Sequence, residues 1–153
     1  MEKYVFDSCI FINLQRRQPI DIFPSLWQKI GDLMKTGDII SSREVYDELA
    51  IGGDELEKWA KTRKESFLPS DIYIQQEVRA LLAEYRGLVE GGSKTNSADP
   101  FVIALAKMKK CKVVTEEVRT RNLRTPKIPD ICDFYEIECI DFVRFAREVK
   151  FEF

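Results

Sequence analysis

The residues of this 153-residue sequence best suited to chemistry are acids set beside short apolar runs. Asp7 follows Tyr4-Val5-Phe6, Glu44 and Glu48 follow Ile39-Ile40-Ser41, Asp99 precedes Phe101-Val102-Ile103-Ala104-Leu105-Ala106, and Glu116 and Glu117 follow Val113-Val114-Thr115. These carboxylates gain weight because the chain has no histidine. Its absence excludes Ser-His-Asp triads, Cys-His pairs and His-ligated zinc. Carboxylate, cysteine, lysine or hydroxyl chemistry remains, and carboxylates suit hard cations such as Mg²⁺ or Mn²⁺. Two carboxylates about 4 Å apart repel by roughly 4 kcal/mol at an effective dielectric near 20. A divalent cation removes that cost, polarises a phosphoryl oxygen and activates water, which would let a histidine-free protein hydrolyse a phosphodiester.

Taken singly, each acid has a plainer role. Ser41-x-x-Glu44 fits a capping box, which would occupy Glu44 at a helix start and leave Glu48, one turn later on the same face, as the better site candidate. Asp99 reads equally as an N-cap or first-turn residue. Glu116 and Glu117 read singly as solvated loop charges. Only together do they define one acidic edge.

The elements that must position them are short. Lys3 to Phe6, Asp38 to Ser41, Lys112 to Thr115 and Glu138 to Asp141 are too short for helices and rich in Val and Ile, as buried strands are. Leu26, Trp27, Ile30, Leu33 and Met34 form a helical stripe between Pro24 and Gly37. Val78, Leu81, Leu82, Tyr85, Leu88 and Val89 form another ending at Gly91 and Gly92, and Asp54 to Lys64 and Phe101 to Met108 supply shorter ones. Strands alternating with helices predict a three-layer α/β/α fold with a short parallel sheet of four or five strands. In such sheets ligands bind beyond the carboxyl ends of the strands, where these acids fall. With no repeat, low-complexity segment or linker, residues 1–153 read as one domain.

At this point the residues resemble a PIN domain, a metal-dependent ribonuclease fold found in the toxin halves of many bacterial and archaeal toxin-antitoxin pairs. The resemblance spans nearly the whole chain and rests on YVFDS, IISSREVYDEL, SADPFVIALA and VVTEE in that order. It implies an endoribonuclease using one or two Mg²⁺ or Mn²⁺ ions and leaving 5′-phosphate and 3′-hydroxyl ends. The catalytic acids carried over are Asp7, Glu48, Asp99 and Glu117. Asp7, Asp99 and Glu117 would hold the metal, and Glu48 would act through water or orient the nucleophile. Glu44 and Glu116 are the substitute acids. The family's fourth acid is usually Asp, and many relatives carry Asn two positions after the first acid, where this chain has Cys9. Ser8 and Thr115 are candidates to hydrogen-bond the ligating carboxylates. The resemblance also implies an RNA substrate, an antitoxin protein as partner and a homodimer as an assembly.

A net charge of −2 argues against a domain that holds nucleic acid by overall charge. The bases are clustered, however. Arg119, Arg121, Arg124 and Lys127 follow Glu117 and are the expected RNA-backbone contacts, whereas Lys107, Lys109, Lys110 and Lys112 read as a solvated helix end. Four cysteines without C-x-x-C spacing, and no signal peptide or long apolar run, point to a reducing cytoplasmic setting with no membrane partner. Cys132 and Cys139 could approach each other. Trp27 and Trp59 read as core. The rival function is a catalytically weak PIN-like protein-binding module, against which stands the occupation of all four acidic positions.

Overall fold

The computed structural model describes residues 3–52, 54–85 and 98–152. Five strands lie in it: β1 (Tyr4–Phe6), β2 (Ile39–Ser42), β3 (Phe67–Leu68), β4 (Lys112–Val114) and β5 (Cys139–Ile140). The helices described are α1 (Ser8–Arg17), α2 (Pro24–Thr36), α3 (Arg43–Ala50), α4 (Glu55–Lys61), α5 (Ile72–Glu84), α6 (Asp99–Lys109), α7 (Ile128–Phe134) and α8 (Phe142–Glu148). The strands form one all-parallel sheet in the order β3-β2-β1-β4-β5, with helices on both faces, which is the three-layer α/β/α architecture expected from the sequence.

The strand order explains where a site can form. From β1 the chain builds outward through β2 and β3, then crosses to the other side of β1 for β4 and β5. β1 and β4 are therefore neighbours at which the winding direction reverses. Helices on either side of such a reversal leave a crevice at the carboxyl ends. Tyr4 pairs with Lys112, Val5 with Val113 and Phe6 with Val114, so both strands end level with each other.

α6 packs across β1, β2 and β4 and is itself covered by α5 and α7. It is enclosed on most sides, with Val102, Ile103, Ala104, Leu105 and Ala106 all buried, which is why its sequence is a continuous apolar run rather than a stripe. On the opposite face Phe6 meets Phe11 of α1 at 5.5 Å and Phe145 of α8 at 4.9 Å, and Trp27 of α2 meets Trp59 of α4 edge-on at 4.9 Å. Trp27 and Trp59 are thus core residues. Gly37 ends α2 at φ 84°, a left-handed conformation in which a side chain is strained.

Three elements go beyond the sequence reading. α1 begins immediately after β1 with no turn residues, because Asp7 is itself the cap, its carboxylate accepting the Ser8 N–H. β3 has only two residues and is defined by its pairing with Ser41 and Ser42. α8 is started by Asp141, which accepts the Arg144 N–H at 2.8 Å. The expected stripe ending at Gly91 and Gly92 is seen as α5 to Glu84; Leu88, Val89 and both glycines lie outside the described residues.

Of the four lysines at the end of α6 and the start of β4, one departs from expectation. Lys107 pairs with Glu77 at 2.8 Å and lies over the Tyr135 ring, and Lys112 pairs with Glu148 at 3.0 Å and Glu138 at 3.3 Å. Lys107, Lys109 and Lys110 are nonetheless exposed at the end of α6, as expected of a solvated helix end, and only Lys112, in β4, is a partly buried ion-pair residue instead. No helix among the described residues is long and apolar enough to cross a membrane.

Phe145 is fully buried and its ring meets those of Tyr4, Phe6, Phe142 and Phe151. Phe145→Ala should lower unfolding free energy by about 3–5 kcal/mol through lost burial and a residual cavity, measured by urea unfolding.

Candidate metal centre

Asp7 leaves the end of β1 into the crevice between β1 and β4 and is 2 % exposed. Its Oδ1 accepts the Ser8 N–H at 2.8 Å, and its Oδ2 accepts the Thr115 hydroxyl at 2.8 Å and the Cys9 thiol at 3.0 Å. Thr115 stands just past the end of β4, so one hydroxyl ties the two strand ends together. The same Oγ1 accepts the Glu117 N–H at 3.1 Å and thereby sets the direction of the chain into Glu117.

Glu117 is half-buried, and its Oε2 accepts the Ile128 N–H at 3.0 Å. Asp99 arrives from the other side as the first residue of α6, followed by Pro100, which suits that position because it has no N–H to leave unpaired. Asp99 does not cap its helix. It is 2 % exposed and its Oδ2 is buried without a hydrogen-bond partner among the described residues. One oxygen from each of Asp7, Asp99 and Glu117 lies within 4.8 Å of the other two.

Glu48 is adjacent but differently employed. Its Oε2 accepts the Ser8 hydroxyl at 2.8 Å and its Oε1 accepts the Ala98 N–H at 3.0 Å. It therefore joins the first turns of α1 and α6, and both of its oxygens act on the residues preceding or following a cluster acid.

Electrostatics follow from this packing. Burial raises the Asp99 carboxyl to about 9, with the charges of Asp7, Glu117 and Glu48 adding to the effect and Lys127 opposing it. Burial likewise raises Asp7 and Glu117, against the lowering by their hydrogen bonds. The Cys9 thiol is pushed upward by burial and by Asp7, so it serves Asp7 as a neutral donor.

The chain as a whole matches, over residues 4–153, the family model described as a domain of unknown function, DUF4411. The chain belongs to the DUF4411 family. No curated protein matches it significantly.

The remaining expected residues divide clearly in this DUF4411 chain. Glu116, exposed, faces away from Glu117, as alternate residues of an extended segment do. Its Oε1 accepts the Phe142 N–H at 3.1 Å at the start of α8. Glu44 is also outside the cluster, its Oε2 buried without a partner in a crevice lined by Ser42, Leu68, Ser70, Ile74, Phe101 and Leu105. The expected capping box is not formed: Ser42 is the N-cap and accepts from Val45 N–H at 3.2 Å, while Ser41 donates to the Phe6 carbonyl. Arg119 is held by Asp133 through two bonds of 2.6 and 2.8 Å, Arg121 and Arg124 are exposed, and Lys127 is half-buried beside the acids.

Two residues of the DUF4411 site carry no role in the sequence reading. Cys9 stood out as a departure from the family pattern, and its thiol supplies a hydrogen bond to Asp7 and accepts the Glu116 N–H at 3.3 Å. Asp130, within Ile128-Pro129-Asp130, is the anchor of the loop after Glu117, and an acid in the third helical position after a proline was its available signal.

The donor set fits a hard divalent cation: three carboxylates converge, one bears an orphaned buried oxygen, and no soft ligand joins them. Asp99 gives a stability consequence with a definite sign. Its folded pKa of about 9 lies above the unfolded value of 3.8, so its contribution favours folding most below about pH 4 and is lost as pH rises toward 9. The metal-free protein should lose melting temperature between pH 5 and 9, and Asp99→Asn should flatten that slope, read by calorimetry in the presence of chelator. The carboxylates held below their usual range, Asp130, Asp133 and Glu148, lose their contribution only on falling below about pH 4, outside that window.

Proposed function

We propose that this protein is a metal-dependent endoribonuclease of the PIN type, hydrolysing RNA phosphodiester bonds with Mg²⁺ or Mn²⁺, and that it serves as the cytoplasmic toxin of a toxin-antitoxin pair. The observation that carries the hydrolytic reading is the convergence of Asp7, Asp99 and Glu117 within 4.8 Å, with an Asp99 oxygen buried and unpaired, at the switch point of a parallel sheet. RNA as substrate, the antitoxin partner and the homodimer rest on the resemblance to PIN domains.

In this reading Asp7, Asp99 and Glu117 hold the ion. The bound cation supplies charge stabilisation at the phosphoryl group and an activated water. Thr115, Ser8 and Cys9 fix the Asp7 carboxylate so that it does not turn away when a phosphate approaches. Glu48 holds the Ala98 N–H and the Ser8 hydroxyl, which sets the entry of α6 and therefore the place of Asp99. The bases after Glu117 lie on the segment where a phosphate backbone would pass.

Mn²⁺ should raise the melting temperature of the wild type by mass action, with about 2.7 kcal/mol of stabilisation at a hundredfold excess over Kd. That shift should vanish in Asp99→Asn.

The deciding measurement is cleavage of single-stranded RNA by wild type and Asp7→Asn with Mg²⁺, Mn²⁺ or chelator. Wild type should cleave only with metal, and Asp7→Asn should be slower by on the order of 10²-fold or more. Equal rates in the two proteins, or cleavage undiminished by chelator, would reject the assignment.

A further inference from the structure

The bases that follow Glu117 are alike in the sequence and unlike in the fold. Arg119 is engaged by Asp133, and Arg121 and Arg124 point from an exposed loop. Lys127 is half-buried, makes no ion pair among the described residues, and its charge favours the ionised forms of both Asp99 and Glu117.

Its backbone is fixed from two sides. The Lys127 N–H donates to Asp130 Oδ2 at 2.8 Å, and the next residue, Ile128, donates its N–H to Glu117 Oε2 at 3.0 Å. Asp130 also accepts the Thr120 N–H at 3.0 Å, the Thr120 hydroxyl at 2.8 Å and the Arg121 N–H at 2.8 Å. A single buried carboxylate thus clamps both ends of the loop 120–127, and those donors repay its desolvation.

Building on the nuclease reading, we propose that Lys127 is a catalytic residue that meets the scissile phosphate across from the carboxylates, and that Asp130 is the positioning residue that holds it there. In the step served, the water oxygen bonds to phosphorus, the bond from phosphorus to O3′ breaks with its electron pair left on O3′, and a water proton ends on O3′. Nothing is oxidised or reduced. Lys127 transfers no proton; its ammonium donates hydrogen bonds to phosphoryl oxygens as negative charge grows on them, a stabilisation stronger in the transition state than in the ground state.

The test compares wild type, Lys127→Ala, Lys127→Arg, Asp130→Asn and the double variant Lys127→Ala/Asp130→Asn. Cleavage of single-stranded RNA is measured at saturating Mn²⁺, and Mn²⁺ binding to the free proteins is measured by calorimetric titration. Lys127→Ala should lower kcat by about 10²-fold with KM little changed, and Lys127→Arg should restore part of it. Mn²⁺ should bind Lys127→Ala more tightly than wild type, because a cation facing the same carboxylates has gone. Asp130→Asn should lower kcat alone but add nothing in the double variant, the signature of acting through Lys127. If wild type cleaves in an Asp7-dependent manner while Lys127→Ala keeps its kcat, or loses rate only through weaker Mn²⁺ binding, the role of Lys127 is overturned and the nuclease reading stands. If Asp7→Asn cleaves as wild type does, that reading falls and the role falls with it.

Discussion

Three carboxylates brought within 4.8 Å of one another in a buried crevice are the constraint on which the rest of this structure depends. Each ionised pair at such range costs kilocalories even at a generous dielectric, and burial adds to the cost. The fold answers unevenly. Asp7 receives a backbone N–H, a hydroxyl and a thiol; Glu117 receives a backbone N–H; Asp99 keeps an oxygen with no donor among the described residues. Burial and the neighbouring acids raise the Asp99 carboxyl to about 9.

That asymmetry follows from topology. Asp7 and Thr115 come from neighbouring strands at the point where the winding of the sheet reverses, so hydroxyl and carboxylate meet without a long side chain having to reach. Asp99 comes from a helix enclosed by sheet, α5 and α7, and such a helix starts deep inside the molecule. Its entry is fixed by Glu48 through the Ala98 N–H, leaving Asp99 free of the capping duty its sequence position would suggest. One acid does the capping so that another need not.

How much of this could be read from the sequence depends on the range of the determining interaction. Four strands, the helix from Pro24 to Thr36 and the acids at strand ends were legible because each is set by local apolar spacing next to a carboxylate. The choice between Glu116 and Glu117 was open, since it turns on the Thr115 hydroxyl that orients the chain and on the Phe142 N–H that claims Glu116. Glu48 lies beside the cluster and Glu44 does not, yet the capping box that would separate them in sequence is not what does so: Ser42 caps the helix, and Ser41 is engaged with the Phe6 carbonyl across the sheet. β3 is invisible in sequence because two residues carry no period, and only a neighbouring strand makes them a strand.

Net charge near zero conceals an organised distribution. At the amino ends of the strands, charges close on one another: Lys112 sits between Glu138 and Glu148, and Glu148 also accepts from the Tyr4 hydroxyl at 2.9 Å and from Arg144. At the carboxyl ends the pattern inverts, with buried acids facing one another and Lys127 beside them without an ion pair among the described residues. Lys112 and Lys127 are chemically identical, yet the first is neutralised where the sheet begins and the second is held by backbone bonds where it ends. Paired charges cancel their field at short range, whereas unpaired ones project it into the crevice. The three acids and Lys127 thus gather at the carboxyl edge of the sheet, the edge where parallel sheets bind ligands.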